Sequence, residues 1–346
     1  MLEQRAKDAL EDQHYRLVGS HSAVKVCGWT KKHIKGEGAC YKWKFYGIVS
    51  AQCMQMTTSL SCANRCVFCW RSYNAPVAKE WIWPVDDPHI ILEESKKAHH
   101  QLLVGIKGNK KTLPEQYAAS KTVQHVALSL TGEPIMYPLL NDFLERCNAE
   151  HISTFLVTNA QYPERIKQLK PVTQLYLSID APNKTMLKKI DIPLFSDYWE
   201  RCLQSLAYTK EKKHRTCVRL TMIKHMNMIH PEEYAELIHK AMPDFVEIKS
   251  YMFIGASRQR LSLENMPFHE EIRAFSAELL KQLPDYALVA EHKPSRVVLL
   301  AKKTFFRDGR WHTWIDFEQW HKLTAEGKDV HTDDYLLPTK LVMTRV

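Results

Sequence analysis

The 346-residue chain has no long hydrophobic run, no apolar N-terminal leader, and no internal repeat, low-complexity tract or long linker. Nothing in it approaches the ~18 consecutive apolar residues that a membrane-spanning helix needs. It opens Met1-Leu2-Glu3-Gln4-Arg5, polar and charged where a secretory signal would be apolar. A cytoplasmic protein with no membrane association, built as one compact unit, is therefore expected. In a reducing compartment disulfides are rare, so clustered cysteines point to a metal. The cysteines have a shortage of their own, because neither cluster has a fourth member. Cys27, Cys40 and Cys53 read C-x12-C-x12-C, and Cys62, Cys66 and Cys69 read C-x3-C-x2-C. A structural zinc site and a closed four-iron cluster each take four protein ligands. Sets of three suit two [4Fe-4S] clusters, each with one iron open to a small molecule. Zinc, with a histidine such as His33 completing a set, is the alternative that thiolates also allow. Cys147, Cys202 and Cys217 stand singly in apolar-periodic segments and read as core residues.

The formal net charge is +9, which fits a polyanionic partner. The basic residues are grouped: Lys31, Lys32 and Lys35, then Lys42 and Lys44, then 107–111, then 210–215. One such run by itself is a solvated face, but several in one basic chain favour nucleic acid. Composition does not separate RNA from DNA.

Beyond residue 50 the pattern is regular. Apolar, β-branched runs recur at 124–130, 152–158, 173–179, 217–223 and 245–251, with 52–59 as the first strand. Stretches of helical period lie between or after them, at 139–147, 198–208, 231–242 and 267–282. Pro231 and Pro267 fit helix starts, where a missing amide proton costs nothing. The alternation predicts an α/β fold with a parallel sheet covered by helices, and six units make a partial (β/α)6 barrel. The expected divisions are 1–51, an N-terminal cap carrying most of the C-x12-C-x12-C triplet; 52–284, the barrel core; and 285–346, a C-terminal extension serving as lid or barrel plug.

In such barrels chemistry sits where strands end and loops begin. Those positions hold Thr131-Gly132-Glu133-Pro134, Thr158-Asn159 and Ser178-Ile179-Asp180, then Arg219 with Thr221, and Glu247 with Lys249. Taken singly, each is explained by turn formation or helix capping. Together, at the ends of five successive strands, they favour a ligand site. The cysteine loop reads Ser61-Cys62-Ala63-Asn64-Arg65-Cys66-Val67-Phe68-Cys69-Trp70, with an aromatic residue directly before the last cysteine. It resembles the radical S-adenosylmethionine (SAM) superfamily, whose hallmark is C-x3-C-x-aromatic-C. The resemblance implies three irons held by Cys62, Cys66 and Cys69, with the fourth chelated by SAM. Thr131-Gly132-Glu133-Pro134 looks like that family's Gly-Gly-Glu motif with threonine in place of the first glycine. The polar strand ends Thr158, Asn159, Ser178, Asp180 and Arg219 would surround the ribose and carboxylate of SAM.

Further stretches narrow the resemblance. His21-Ser22-Ala23-Val24-Lys25-Val26-Cys27, Gly36-Glu37-Gly38-Ala39-Cys40-Tyr41-Lys42, Cys53-Met54-Gln55-Met56-Thr57 and Leu177-Ser178-Ile179-Asp180-Ala181-Pro182 are similar to the archaeal-type tRNA 4-demethylwyosine synthase family. So are Tyr251-Met252-Phe253-Ile254-Gly255-Ala256-Ser257-Arg258 and Glu264-Asn265-Met266-Pro267-Phe268-His269-Glu270. The resemblance implies a radical condensation of N1-methylguanosine at position 37 of tRNA-Phe with carbons 2 and 3 of pyruvate. The product is tricyclic 4-demethylwyosine, with release of 5′-deoxyadenosine, methionine and carbon dioxide. It implies pyruvate held at a second cluster on Cys27, Cys40 and Cys53. It also implies a separate flavodoxin- or ferredoxin-like electron donor, in place of the flavodoxin-like domain that eukaryotic relatives carry. Nothing demands a dimer, and a monomer is expected.

Lys42, two residues after Cys40, is expected beside the pyruvate in a catalytic role, as a Schiff base or as a charge partner for the carboxylate. A tRNA phosphate contact is the bland alternative. The anticodon offers single-stranded bases for stacking, and a reacting base must leave its stack. Trp70-Arg71 is the first expectation for such a contact, with residues 253–260 a possible border of the base or of the SAM carboxylate. Two rivals differ in class. A tandem-cluster radical SAM tRNA methylthiotransferase also uses three plus three cysteines, but takes its upstream triplet from a full separate domain. A metal-stabilised RNA-binding module would leave the polar strand ends unexplained.

Overall fold

The computed structural model describes residues 4–72 and 74–340; positions 1–3 of the expected cap, Tyr73 and positions 341–346 of the expected extension lie outside the described residues. A ten-stranded sheet runs in chain order apart from its last pair: β1 (Arg16–Val18), β2 (Ser22–Val24), β3 (Cys53–Thr57), β4 (His125–Leu128), β5 (Ser153–Thr158), β6 (Gln174–Ser178), β7 (Thr216–Met222), β8 (Phe245–Ser250), then β10 (Val297–Lys302) and β9 (Tyr286–His292). β3 to β8 are parallel throughout. β2 joins β3, and β10 joins β8, in antiparallel pairs. A parallel pair needs a crossover, and helices supply it here: Pro88–Lys107, Leu140–Ala149, Tyr198–Lys210 and Pro231–Ala241 each intervene between neighbouring strands. This is the expected α/β arrangement, a six-strand parallel core with antiparallel additions at both edges.

The helices begin where their caps allow. Asp87 accepts from the amides of His89 and Ile90 while Pro88 occupies the first helical position. Pro231 starts its helix as expected, but the helix expected from Pro267 begins at His269. Pro267 is used differently: its carbonyl accepts from Ser250 Oγ at 3.0 Å and Arg296 Nη1 at 2.8 Å. Glu271 then reaches back to the amide of Phe268 at 2.7 Å and closes the first turn.

Strand alternation divides the interior in two. Leu156, Leu175, Leu177, Val218, Leu220 and Val246 point outward into the core shared with the covering helices. Phe155, Tyr176, Cys217 and Phe245 point inward and meet Tyr41, Phe45, Tyr46, Trp320 and Tyr335. The amino half of the barrel is thus filled by side chains from the helices Tyr41–Tyr46 and Phe317–Ala325 and by Tyr335. The carboxyl half stays open. Cys147, Cys202 and Cys217 are all buried in these cores. Among the described residues no helix is long and apolar enough to cross a membrane.

Trp320 is fully buried with its ring 4.9 Å from that of Tyr335. Trp320→Ala is expected to lower unfolding stability by about 3–5 kcal/mol, the range for deleting a buried aromatic side chain. The denaturant midpoint measures it, and a loss under about 1 kcal/mol would show that the plug adds little to the barrel.

Candidate functional site

The loop bearing Cys62, Cys66 and Cys69 leaves the carboxyl end of β3 and is held by its backbone. Arg71, itself buried, donates to the carbonyls of Asn64 at 2.9 Å and Pro76 at 3.0 Å. Arg260 donates from the opposite side to the carbonyls of Val67 at 2.9 Å and of Cys69. The amide of Ala256 reaches the carbonyl of Trp70 at 2.8 Å, and the amide of Val67 that of Ile190 at 2.8 Å. Each of these bonds ends on a carbonyl oxygen, and the three cysteines line a cavity of about 380 Å³. Cys62 Sγ accepts from the amide of Asn64 and from Asn159 Nδ2, each at 3.4 Å. Burial raises the Cys62 thiol to about 11 and pushes Cys66 up further, with Asp191 adding to it.

The rest of the wall comes from strand ends. Thr131, Gly132, Glu133, Thr158, Asn159, Ser178, Asp180 and Arg219 all line this one cavity with the three cysteines. Gly132 has φ +67°, and a Cβ there would lie 1.9 Å from the carbonyl oxygen of Ser59. Only glycine permits that approach. Glu133 accepts from the amide of Asn159 at 2.8 Å, yet burial raises its carboxyl to about 7. Asp180 is likewise raised to about 7 by burial, against the amide of Thr221 at 3.3 Å. Two carboxyls poised near neutrality, three thiols and a guanidinium in one partly closed space form a reactive-site environment. Lys249 joins the wall, its amine lowered to about 8 by burial and then by Arg219.

Cys27, Cys40 and Cys53 lie outside this cavity and form a separate group. Cys27 precedes the helix Gly28–Ile34, Cys40 precedes Tyr41–Tyr46, and Cys53 opens β3. All three are free thiols. Burial raises Cys40 and Cys53 to about 12, and each is raised further by other members of the triplet. His33, weighed as a fourth ligand, accepts the amide of Ala51 through Nδ1 at 2.9 Å. Lys42 is 9% exposed, its ammonium 4.5 Å from the centre of the Tyr176 ring and 5.5 Å from that of Phe155. Burial lowers its pKa, and Arg219 lowers it further, against the opposing pull of Glu247 and the nearby thiols.

The two groups touch through Glu247. This carboxylate is 0% exposed and accepts from Tyr46 OH at 2.9 Å, Tyr41 OH at 3.1 Å and Arg219 Nε at 2.9 Å. Tyr41 stands between Cys40 and Lys42, and Arg219 belongs to the cavity wall. Glu247 is legible in the sequence as a strand-end polar residue, and these partners are not. A glutamate within the apolar strand Phe-Val-Glu-Ile was the available signal. Arg260, expected within 253–260 to border the base or the SAM carboxylate, meets the carbonyl of Cys69 across 191 positions of chain.

The expected RNA contacts are partly redistributed. Arg71 is spent inside the loop, while Trp70 lines the cavity and packs near Tyr15 at 6.5 Å. The run 210–215 is structural: Arg215 is fully buried and donates to Thr313 O at 2.8 Å, Lys212 holds the carbonyls of Lys167 and Leu169, and Lys213 pairs with Asp329. Lys31, Lys32, Lys107, Lys110 and Lys111 remain exposed. Glu37 joins two of the runs by pairing with Lys35 and Lys111.

Residues 56–238 match the family model of the radical SAM superfamily, and residues 240–302 match that of wyosine base formation. The chain is 48% identical to the S-adenosyl-L-methionine-dependent tRNA 4-demethylwyosine synthase TYW1 of Xenopus laevis, over 93% of this chain and 44% of that protein. It is 47% identical to the S-adenosyl-L-methionine-dependent tRNA 4-demethylwyosine synthase of Oryza sativa subsp. japonica, over 96% of this chain and 52% of that protein. The chain thus spans about half the length of the curated relatives it matches. A solved structure of TYW1 with a lysine-pyruvate adduct bound superposes with a TM-score of 0.79 at 34% identity, covering 88% of this chain and 97% of that one. A crystal structure of archaeal TYW1 gives 0.72 at 31% identity, covering 88% and 98%.

The Gly132 contact has a direct consequence. Gly132→Ala is expected to cost about 2–4 kcal/mol, combining left-handed strain with a backbone clash that no rotamer relieves. Chemical denaturation measures it, and wild-type stability in this variant would mean that the Ser59 approach is not tight.

Proposed function

The chain belongs to the tRNA 4-demethylwyosine synthase family of the radical SAM superfamily, and from that premise we propose that it condenses N1-methylguanosine 37 of tRNA-Phe with carbons 2 and 3 of pyruvate to give 4-demethylwyosine. The observation that carries this reading is the meeting of the two cysteine triplets: cavity-wall Arg219 shares the Glu247 carboxylate with Tyr41, the residue between Cys40 and Lys42.

The donor set fits an iron–sulfur cluster. Burial pushes the Cys62 and Cys66 thiols up, which favours their protonated form unless a metal claims them. Cys62, Cys66 and Cys69 would hold one [4Fe-4S] cluster, and Cys27, Cys40 and Cys53 a second. With SAM on its open iron, the first cluster would supply the 5′-deoxyadenosyl radical that begins the chemistry. The protein's part is placement. Thr131, Gly132 and Glu133 would face the amino end of SAM from an exposed strand edge; Thr158, Asn159, Ser178, Asp180 and Arg219 would take its ribose and carboxylate. A primary radical reacts with whatever it touches, so both substrates must be fixed and water excluded before it forms. The filled amino half of the barrel closes the inner face on that side.

Lys42 would bind pyruvate covalently: its amine attacks the keto carbon, water leaves, and an imine remains. The lysine-pyruvate adduct in the related TYW1 structure supports this over an ion pair alone. The surroundings of Lys42 support it too, because burial among aromatic rings lowers the amine pKa toward the nucleophilic neutral form. The lysines around Glu37 would follow the tRNA backbone, and a flavodoxin- or ferredoxin-like protein would supply the electron.

Two measurements test this reading. Anaerobically reconstituted protein should carry about eight irons, falling to about four when Cys27, Cys40 and Cys53 are replaced by alanine together. Retention of the full complement by that variant would remove the second cluster. Borohydride should fix labelled pyruvate onto the wild type and not onto Lys42→Ala. Equal labelling of the two proteins would place the amine elsewhere.

A further inference from the structure

Glu247 occupies an unusual position, flanked by Val246 and Ile248 in the middle of a strand, with no exposure to solvent. An unpaired carboxylate there would cost several kcal/mol, so its partners are obligatory. Oε1 takes the phenol of Tyr46; Oε2 takes the phenol of Tyr41 and Nε of Arg219. Two of these three donors belong to the helix Tyr41–Tyr46. A six-residue helix has no stability of its own, so its orientation is set by what grips it. Here two phenols on one carboxylate form that grip, at the first and last residues of the helix.

Lys42 rides on this helix. Among the described residues no carboxylate lies within ion-pair distance of its ammonium, which rests instead against the ring of Tyr176. The guanidinium of Arg219 sits 4.6 Å from the centre of the same ring. Nη2 of Arg219 is buried without a hydrogen-bond partner, and the residue lines the cavity. Lys42 and the cavity wall are therefore tied twice, through Glu247 and through Tyr176.

We propose that Glu247 is the positioning residue of the reaction, fixing the Lys42 amine, and the α-keto acid it carries, at a set distance from the SAM cavity. This rests on the reading of Lys42 as the pyruvate-binding amine. Glu247 is not among the residues that line the cavity. It acts by holding one helix against one strand.

The test compares Glu247→Gln, Tyr46→Phe and wild type as cluster-loaded proteins. Three quantities are read: borohydride fixation of labelled pyruvate, the KM for SAM, and 5′-deoxyadenosine formed per 4-demethylwyosine. Glu247→Gln should slow pyruvate fixation about tenfold or more, since small misplacements of a reacting group cost that much. Its KM for SAM should stay within about threefold, because the other cavity-wall contacts persist. Deoxyadenosine should accumulate in excess of product, as radicals form without an aligned partner. Tyr46→Phe, which keeps the charge pair and loses one donor, should show the same pattern at about threefold, and it carries the test if Glu247→Gln does not fold. Wild-type fixation and coupling in Glu247→Gln, or in Tyr46→Phe where that variant carries the test, overturn the proposal. A parallel loss of SAM binding also overturns it, since that marks general collapse. A wild type that fixes no pyruvate overturns the Lys42 reading and this inference together.

Discussion

The interior of this protein is organised around the disposal of one buried charge. Glu247 lies on the inner face of the sheet, where the packed amino half gives way to the open carboxyl half. Its carboxylate is tolerable only because Tyr41, Tyr46 and Arg219 converge on it, and each donor comes from a part of the chain with other duties. Tyr46 also packs its ring edge-on against Phe245, and Tyr41 follows a cysteine of the second triplet. An apolar residue at 247 would remove the reason for those parts to meet.

The sheet serves two purposes through one alternation. Outward residues bind the helices, and inward residues change character along the strand, from Phe245 and Cys217 near the start to Lys249 and Thr221 near the end. The cysteine loop is fixed on top of this frame by two arginines that donate to its carbonyl oxygens. Arg71 and Arg260 set the shape of the loop, and Arg71 also places its positive charge beside the three cysteines.

Much of this was legible in the sequence, for identifiable reasons. Strand and helix periods are local, so the six parallel strands were located to within a residue or two. Strand-end polarity is also local, and it brought Thr131, Thr158, Asn159, Ser178, Asp180 and Arg219 to one cavity. Long-range hydrogen bonding was not legible. Arg71 reads as a free cation beside a tryptophan, and only the fold shows that it is consumed by carbonyls from its own loop. The run 210–215 reads as a basic patch, whereas Arg215 is buried against Phe245 at 4.5 Å. Charge in a sequence states a side chain's chemistry but not whether the fold leaves it to solvent.

The filling of the barrel's amino half bears on how the chain is made. Phe155, Tyr176 and Phe245 are synthesised well before Trp320 and Tyr335, which cover them. On the ribosome, a sheet complete through β8 would present an inner face of aromatic rings covered only in part, by the helix Tyr41–Tyr46. Such a face is adhesive, and its exposure lasts until the final segment emerges. The segment bearing Trp320 and Tyr335 therefore sets how long that surface stays adhesive during synthesis.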